Sequence, residues 1–241
     1  MLRTYICFDL ETTGLSVDQD EIIEVGAVKV VEGRLTEQFT CFVNIHKPLE
    51  PFISELTGIS DAMLRKEGYE KQPVIEEFVK FCDGYDLLGH NLMFDYKFMK
   101  TGATAYQLPF EKKGIDTLHL ARKFLPDLPN KKLGTLCEHY QYKNDKAHRA
   151  VYDARATAYC YEQMVKQFGS LHPEMFEPSP LFYRPKKWEP MTAKQKRYLN
   201  DLLKYHKIEN KTEFEQLSKS EASKLIDSII LQHGMMKKFD L

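Results

Sequence analysis

The 241-residue chain has no C-x-x-C pair among its five cysteines, no strong charge of either sign and no uninterrupted apolar run of membrane-spanning length. Cys7, Cys41, Cys82, Cys137 and Cys160 are scattered and odd in number. That spacing excludes a disulfide framework or a cysteine zinc site and suits reduced thiols in a cytosol. A formal net charge of −1 excludes a polycationic coat for nucleic acid, but not a nuclease whose site is built of acids. Asp9 and Glu11 break the first apolar run before a signal-peptide core can form, so a soluble, cytoplasmic protein without a membrane partner is expected. Internal repeats and low-complexity tracts are also missing.

What is present describes an ordinary globular protein, 43% hydrophobic, 12% aromatic and 29% charged, with room for one large domain and a small one. The charge is uneven. Residues 186–241 hold 12 Lys/Arg against 8 Asp/Glu, which leaves 22 against 27 in residues 1–185. An acidic body with a mildly basic tail fits a nuclease that grips a polyanion from one side. It equally fits a helical tail with a solvated surface.

Tyr5–Phe8, Glu21–Val31 and Phe39–Ile45 read as three consecutive strands joined by short polar connections, an antiparallel meander. Ile75, Phe78, Val79 and Cys82 then recur at helical spacing, opened by Pro73 and closed by Gly84. Asp86–Gly89 reads as a short buried strand, Leu92–Lys100 as a helix stopped near Gly102, and Gly114–Asp116 as another short strand. Residues 118–124, 133–140 and 150–168 read as helices. Five of eleven prolines fall in residues 169–190, a density that admits no helix or central strand and marks a linker or surface strap. Beyond it, Thr192-x-x-Gln195, Thr212-x-x-Glu215 and Ser218-x-x-Glu221 are capping-box signatures of a small helical module. The expected organisation is a catalytic domain over 1–168, the strap over 169–190 and the module over 191–241.

Three short clusters carry the chemistry: Asp9-Leu10-Glu11-Thr12-Thr13-Gly14, His90-Asn91-Leu92-Met93-Phe94-Asp95 and His148-Arg149-Ala150-Val151-Tyr152-Asp153. Together they supply four carboxylates and a histidine, the set that holds two hard divalent cations and deprotonates a water. Asp9 and Glu11, two apart at a strand end, share a face, where like charges are costly unless a cation sits between them. Asp95 falls in the first turn of a helix that Asn91 is placed to cap. Five helical steps separate the directions of His148 and Asp153, so His148 belongs to the loop before the long helix and Asp153 to its first turns. An imidazole titrating near neutrality suits a general base in that loop. Each cluster alone has a plainer reading, as solvated strand-end acids, a carboxylate on a helix dipole, or a surface histidine at a helix start. Their joint order favours metal-assisted hydrolysis of a phosphodiester.

Taken together, D-x-E, H-N-x-x-F-D and H-x-A-x-x-D resemble the DEDD exonuclease superfamily in its histidine-bearing subtype, over about residues 4–168. Asp116-Thr117-Leu118 and Leu133-Gly134-Thr135-Leu136-Cys137 are most similar to the proofreading subunit of bacterial replicative polymerases. Thr57-Gly58-Ile59 is similar to a segment of the same branch. The resemblance implies an α/β, ribonuclease H-like mixed sheet, a three-stranded antiparallel meander plus parallel strands flanked by helices. It implies that Asp9, Glu11 and Asp153 hold one Mg2+ and Asp9 with Asp95 a second, with Mn2+ as a substitute, and that His148 accepts the proton of water. It implies that Thr12 and Asn91 contact the terminal nucleotide. The expected activity is 3′→5′ release of nucleoside monophosphates from DNA; an exoribonuclease and a non-catalytic nucleic-acid scaffold are the alternatives. The tail is expected either to touch nucleic acid or to dock on a DNA polymerase or repair protein.

Overall fold

The computed structural model describes residues 1–185, 189–208 and 217–236. It falls into two compact units, 1–185 and 186–241. The first is organised by one sheet of β1 (Tyr5–Thr12), β2 (Ile22–Val31), β3 (Arg34–Phe42), β4 (Asp86–Gly89), β5 (Lys113–Asp116) and β6 (Ser179–Pro180) in the order β3-β2-β1-β4-β5-β6. β1 pairs antiparallel with β2 and parallel with β4, and β4 pairs parallel with β5. The mixed sheet thus agrees with the α/β expectation, an antiparallel meander on one side and parallel strands on the other.

The period of two in β1 sorts its residues between two cores. Ile6, Phe8 and Leu10 join Phe78, Tyr96 and Met99 on one face, and Tyr5 and Cys7 join Ala154, Tyr161 and Met164 on the other. Helices α3 (Lys71–Phe81) and α4 (Leu92–Ala105) supply the first of those cores; α7 (Ala150–Phe168) supplies the second. Each fully buried large apolar side chain contributes roughly 1.5–3 kcal/mol, so both faces of β1 are anchored firmly.

Several expected boundaries move. The second hairpin strand starts at Arg34 rather than Phe39, because Glu32 and Gly33 both take positive φ (50° and 75°) in a two-residue turn. Residues 34–38 are exposed on an edge strand and carry no alternating apolar signal. Two short helices, α1 (Pro51–Thr57) and α2 (Asp61–Glu67), follow the meander and bury Ile53 and Leu64, with Ile59 from the connection between them, against Ile23. Gly102 does not stop α4, which runs on to Ala105. A Cβ there would come within 2.4 Å of the Ile75 side chain, so the glycine is a packing notch between α3 and α4.

Helices α5 (Thr117–Phe124) and α6 (Leu133–His139) lead to α7. In the proline-rich stretch, Pro173 opens a 3-10 turn at Pro173–Phe176 that buries Phe176, and Pro180 lies in the two-residue edge strand β6. Both are positions that tolerate a missing N–H. In the second unit, α8 (Ala193–His206) begins with the expected capping box of Thr192 and Gln195. Leu199, Leu202 and Leu203 pack on Ile226 and Ile229 of α9 (Lys219–His233). The Thr212–Glu215 signature and the Glu221 side chain lie outside the described residues. Among the described residues no helix is long and apolar enough to cross a membrane.

Candidate active site

β4 accompanies β1 only from Tyr5 to Cys7, so beyond Cys7 that flank of β1 is open. The chain leaves β1 for β2 on one side and enters β4 on the other, the kind of switch point where a crevice forms at the carboxyl ends of the strands. Asp9 and Glu11 stand at this end, on the α7 face. The Leu10 amide between them donates to Asp95 Oδ1 at 3.0 Å. That bond draws the first turn of α4 onto the strand end and leaves Asp95 only 3% exposed.

The third cluster arrives from the other side. His148 sits in the turn before α7 with φ 62°, and is exposed. Its amide donates to Asp153 Oδ2 at 2.9 Å, and Asn144 Nδ2 donates to Asp153 Oδ1 at 2.6 Å. Potential ligand atoms of Glu11, His148 and Asp153 lie within 4.8 Å of one another.

The acids share one electrostatic cluster. Burial pushes the Asp9 carboxyl well above the usual carboxylate range, and Asp95, Asp153, Glu11 and Glu24 push it further. Burial, then Asp153 and Glu24, push Glu11 up to about 8 against an opposing pull from Arg149. Asp95 is raised by burial despite the Leu10 amide, and Asp153 by burial despite Asn144 and the His148 amide. A buried group of like charges with oxygen donors is what a hard divalent cation stabilises. The residues present therefore fit such ions.

The family model described as Exonuclease (RNase T) matches residues 6–161, which hold all three clusters. The chain belongs to the exonuclease family. PolC-type DNA polymerase III from Caldanaerobacter subterraneus subsp. tengcongensis is 42% identical over 167 residues, covering 69% of this chain and 12% of that protein. The chain thus spans about an eighth of that curated relative's length. Among solved structures, exonuclease X in complex with 5′-overhanging duplex DNA aligns with TM-score 0.55 and 24% identity, over 68% of this chain and 93% of the other. The nuclease domain of 3′hExo, a DEDDh family member bound to rAMP, aligns with TM-score 0.58 and 21% identity, over 68% and 92%. Identities this low describe a common fold, the one the DEDD resemblance implies.

Asn91 begins α4 differently from the expectation. It takes φ 63° and makes no side-chain cap; instead its amide donates to Asp116 Oδ1 at 2.9 Å. The left-handed backbone turns the side chain out of capping position. Thr12 borders the acids, and its hydroxyl donates to the Gly14 carbonyl at 2.7 Å.

Sequence reasoning missed two supporting residues of the site, Glu24 and Asn144, and left His90 without a role. Glu24, opposite Glu11 in the β1–β2 ladder, is fully buried. It accepts bonds from Arg149 Nε and Nη2 and, at 3.1 Å, from the Ala150 amide. Asn144 holds Asp153, as above. His90 uses both ring nitrogens, Nδ1 with Thr117 Oγ1 at 2.9 Å and Nε2 with the Lys131 carbonyl at 2.8 Å. Glu24 reads as one polar position in an Ile/Val strand, and its partner is 125 residues away, so periodicity carries no signal for it.

Proposed function

We propose that this chain is a divalent-metal-dependent 3′→5′ exonuclease, which hydrolyses terminal phosphodiesters of single-stranded or frayed DNA and releases nucleoside monophosphates in the bacterial cytoplasm. The observation that carries the reading is the meeting of Asp9, Glu11, Asp95 and Asp153 with His148 at the open end of β1. Asp9, Glu11 and Asp153 would hold one ion and Asp9 with Asp95 a second, magnesium by preference and manganese as a substitute for these hard donors. Ions held there would supply charge stabilisation to the phosphodiester undergoing hydrolysis.

The chain's own groups do the rest. His148, exposed and outside the helix, takes the proton of the attacking water on an imidazole nitrogen. Asn144 and the His148 amide hold the Asp153 carboxylate facing Glu11. Thr12 and Asn91, on the rim, contact the terminal nucleotide. The DNA preference is supported by the similarity to PolC-type DNA polymerase III, and the direction of attack by the resemblance of the three acidic clusters to the DEDD exonucleases. Residues 1–168 carry the catalysis, 169–190 the strap, and the module over 191–241 docks on a DNA polymerase or repair protein.

Matched DNA and RNA oligomers, labelled at either end and incubated with magnesium, test this reading. Expected are mononucleotides taken from the 3′ end, DNA at least tenfold faster than RNA, and no release by Asp9→Asn. Release from the 5′ end, or no release by the wild-type chain, overturns it; faster attack on RNA moves the substrate to oligoribonucleotides.

A further inference from the structure

Next to the acid cluster the chain carries a charge of the opposite sign. Residues 117–132 contain Arg122, Lys123, Lys131 and Lys132 against the single acid Asp127, in a body where acids outnumber cations 27 to 22. This segment runs through α5 into the loop before α6, and His90 ties that loop to the catalytic end of the sheet. The ring Nε2–H donates to the Lys131 carbonyl at 2.8 Å, and the Thr117 hydroxyl, buried at the start of α5, lies within hydrogen-bonding distance of Nδ1 at 2.9 Å and of the Gly89 carbonyl at 3.1 Å. The next residue, Asn91, gives its amide to Asp116. Asp116 lies close enough to Asp95 to raise its pKa, and Arg122 close enough to His90 to lower that of the ring.

The loop is also braced from within. Lys131 Nζ donates to the carbonyls of Pro126 and Leu128, at 3.2 and 2.8 Å. Asn130 Oδ1 accepts from the Lys132 amide and from Thr135 Oγ1, at 3.0 and 2.7 Å. Lys131 therefore spends its charge on the loop, whereas the side chains of Arg122 and Lys132 are exposed. A polyanion approaching four clustered carboxylates is repelled except at the ions themselves, so the strand behind the cleaved nucleotide needs cations of its own.

We propose that Arg122 and Lys132, on the rim that His90 pins to the end of β4, form a subsite for the backbone phosphates upstream of the cleaved nucleotide. His90 is a positioning residue: it sets the rim at a fixed distance from the acids and does not touch the reacting atoms. The inference rests on the exonuclease reading for the identity of its ligand, but its test does not require turnover.

Anisotropy of fluorescent dT10 and dT2 with the full chain in calcium measures binding as salt is varied. Arg122→Glu with Lys132→Glu is expected to weaken dT10 at least tenfold and dT2 much less, and to lower the salt slope by about 0.7 for each lost phosphate contact. In magnesium, the ratio of kcat/KM for dT10 to that for thymidine 5′-(p-nitrophenyl phosphate), which has no upstream phosphate, should fall at least tenfold, mostly through KM. His90→Ala should lower the same ratio and His90→Asn restore part of it. Unchanged dT10 affinity and salt slope in the double variant overturn the subsite. A wild-type chain that binds dT10 but releases no nucleotide overturns the exonuclease reading instead, and the binding arm still decides the rim.

Discussion

Arg149 grips the carboxylate of Glu24 with two nitrogens, Nη2 to Oε1 at 2.9 Å and Nε to Oε2 at 3.2 Å. The pair joins β2 to the residue just after His148, and the Ala150 amide closes on the same carboxylate. Because Glu24 is fully buried, removing one partner leaves a polar group without its match, a loss of about 3 kcal/mol. Glu24→Gln is expected to lose roughly that much in urea unfolding. Arg149→Lys, which keeps the charge but not the fork, should retain most of the stability yet lower kcat more than KM, since the His148 turn is then held less closely. Equal effects on kcat and on stability across both variants would reduce the pair to a folding element.

Much of this arrangement is legible in the amino-acid order, and the rest is not for physical reasons. α7 begins and ends where its apolar spacing says, and the D-x-E pair shares a face because β1 keeps a period of two. The entry to β3 was hidden because an exposed edge strand needs no alternation. Gly102 carries the composition of a helix stop because its purpose, the approach of Ile75, exists only once α3 and α4 pack. Asn91 has the composition of a cap but the backbone of a left-handed turn. Glu24 and Asn144 act through contacts that only the folded chain creates.

Gly26 gives a second outcome. A Cβ there would fall 2.0 Å from the Val151 amide nitrogen and 2.2 Å from the Ala150 carbonyl carbon. These are backbone atoms that cannot turn away, so Gly26→Ala must push the start of α7, and Asp153 with it, off the sheet. Destabilisation of about 2–3 kcal/mol is expected, as for overpacked cores, with activity lost beyond what unfolding explains. Gly134, inside α6 with open space around it, is the control: Gly134→Ala should be neutral or stabilising by up to about 1 kcal/mol. Thermal melts and specific activity of the two variants decide the matter.

Asp9 should trade stability for function. Its carboxyl is raised by burial and by four neighbouring acids, so in the metal-free protein above about pH 8, where Glu11 also ionises, its ionised form repels Asp95, Asp153 and Glu11. Asp9→Asn removes that repulsion and is expected to stabilise the metal-free protein by roughly 0.5–2 kcal/mol, while hydrolysis falls at least a thousandfold. Magnesium should then raise the melting temperature of the variant much less than that of the wild type. A variant no more stable than the wild type without metal would mean that the cluster carries no strain.

The pH dependence follows from Glu11. Its carboxyl, ordinarily titrating at 4.5, is pushed up to about 8 in the folded chain. A carboxyl raised on folding favours the native state fully below the unfolded value, and that contribution drains away as pH climbs through the folded value. The window is therefore pH 4.5 to about 8, and the raised Asp9, Asp95 and Asp153 act in the same direction. Without metal, this site should disfavour folding more at pH 8.5 than at pH 5.5. Divalent ions bind the deprotonated carboxylates and so gain affinity over the same interval. Scanning calorimetry in chelator and in millimolar magnesium should accordingly give a larger metal-induced rise in Tm at pH 8.5 than at pH 5.5, and Asp9→Asn should flatten that difference. A rise that is equal at the two pH values, or greater at the acidic one, would mean that protons and metal do not compete for these carboxylates.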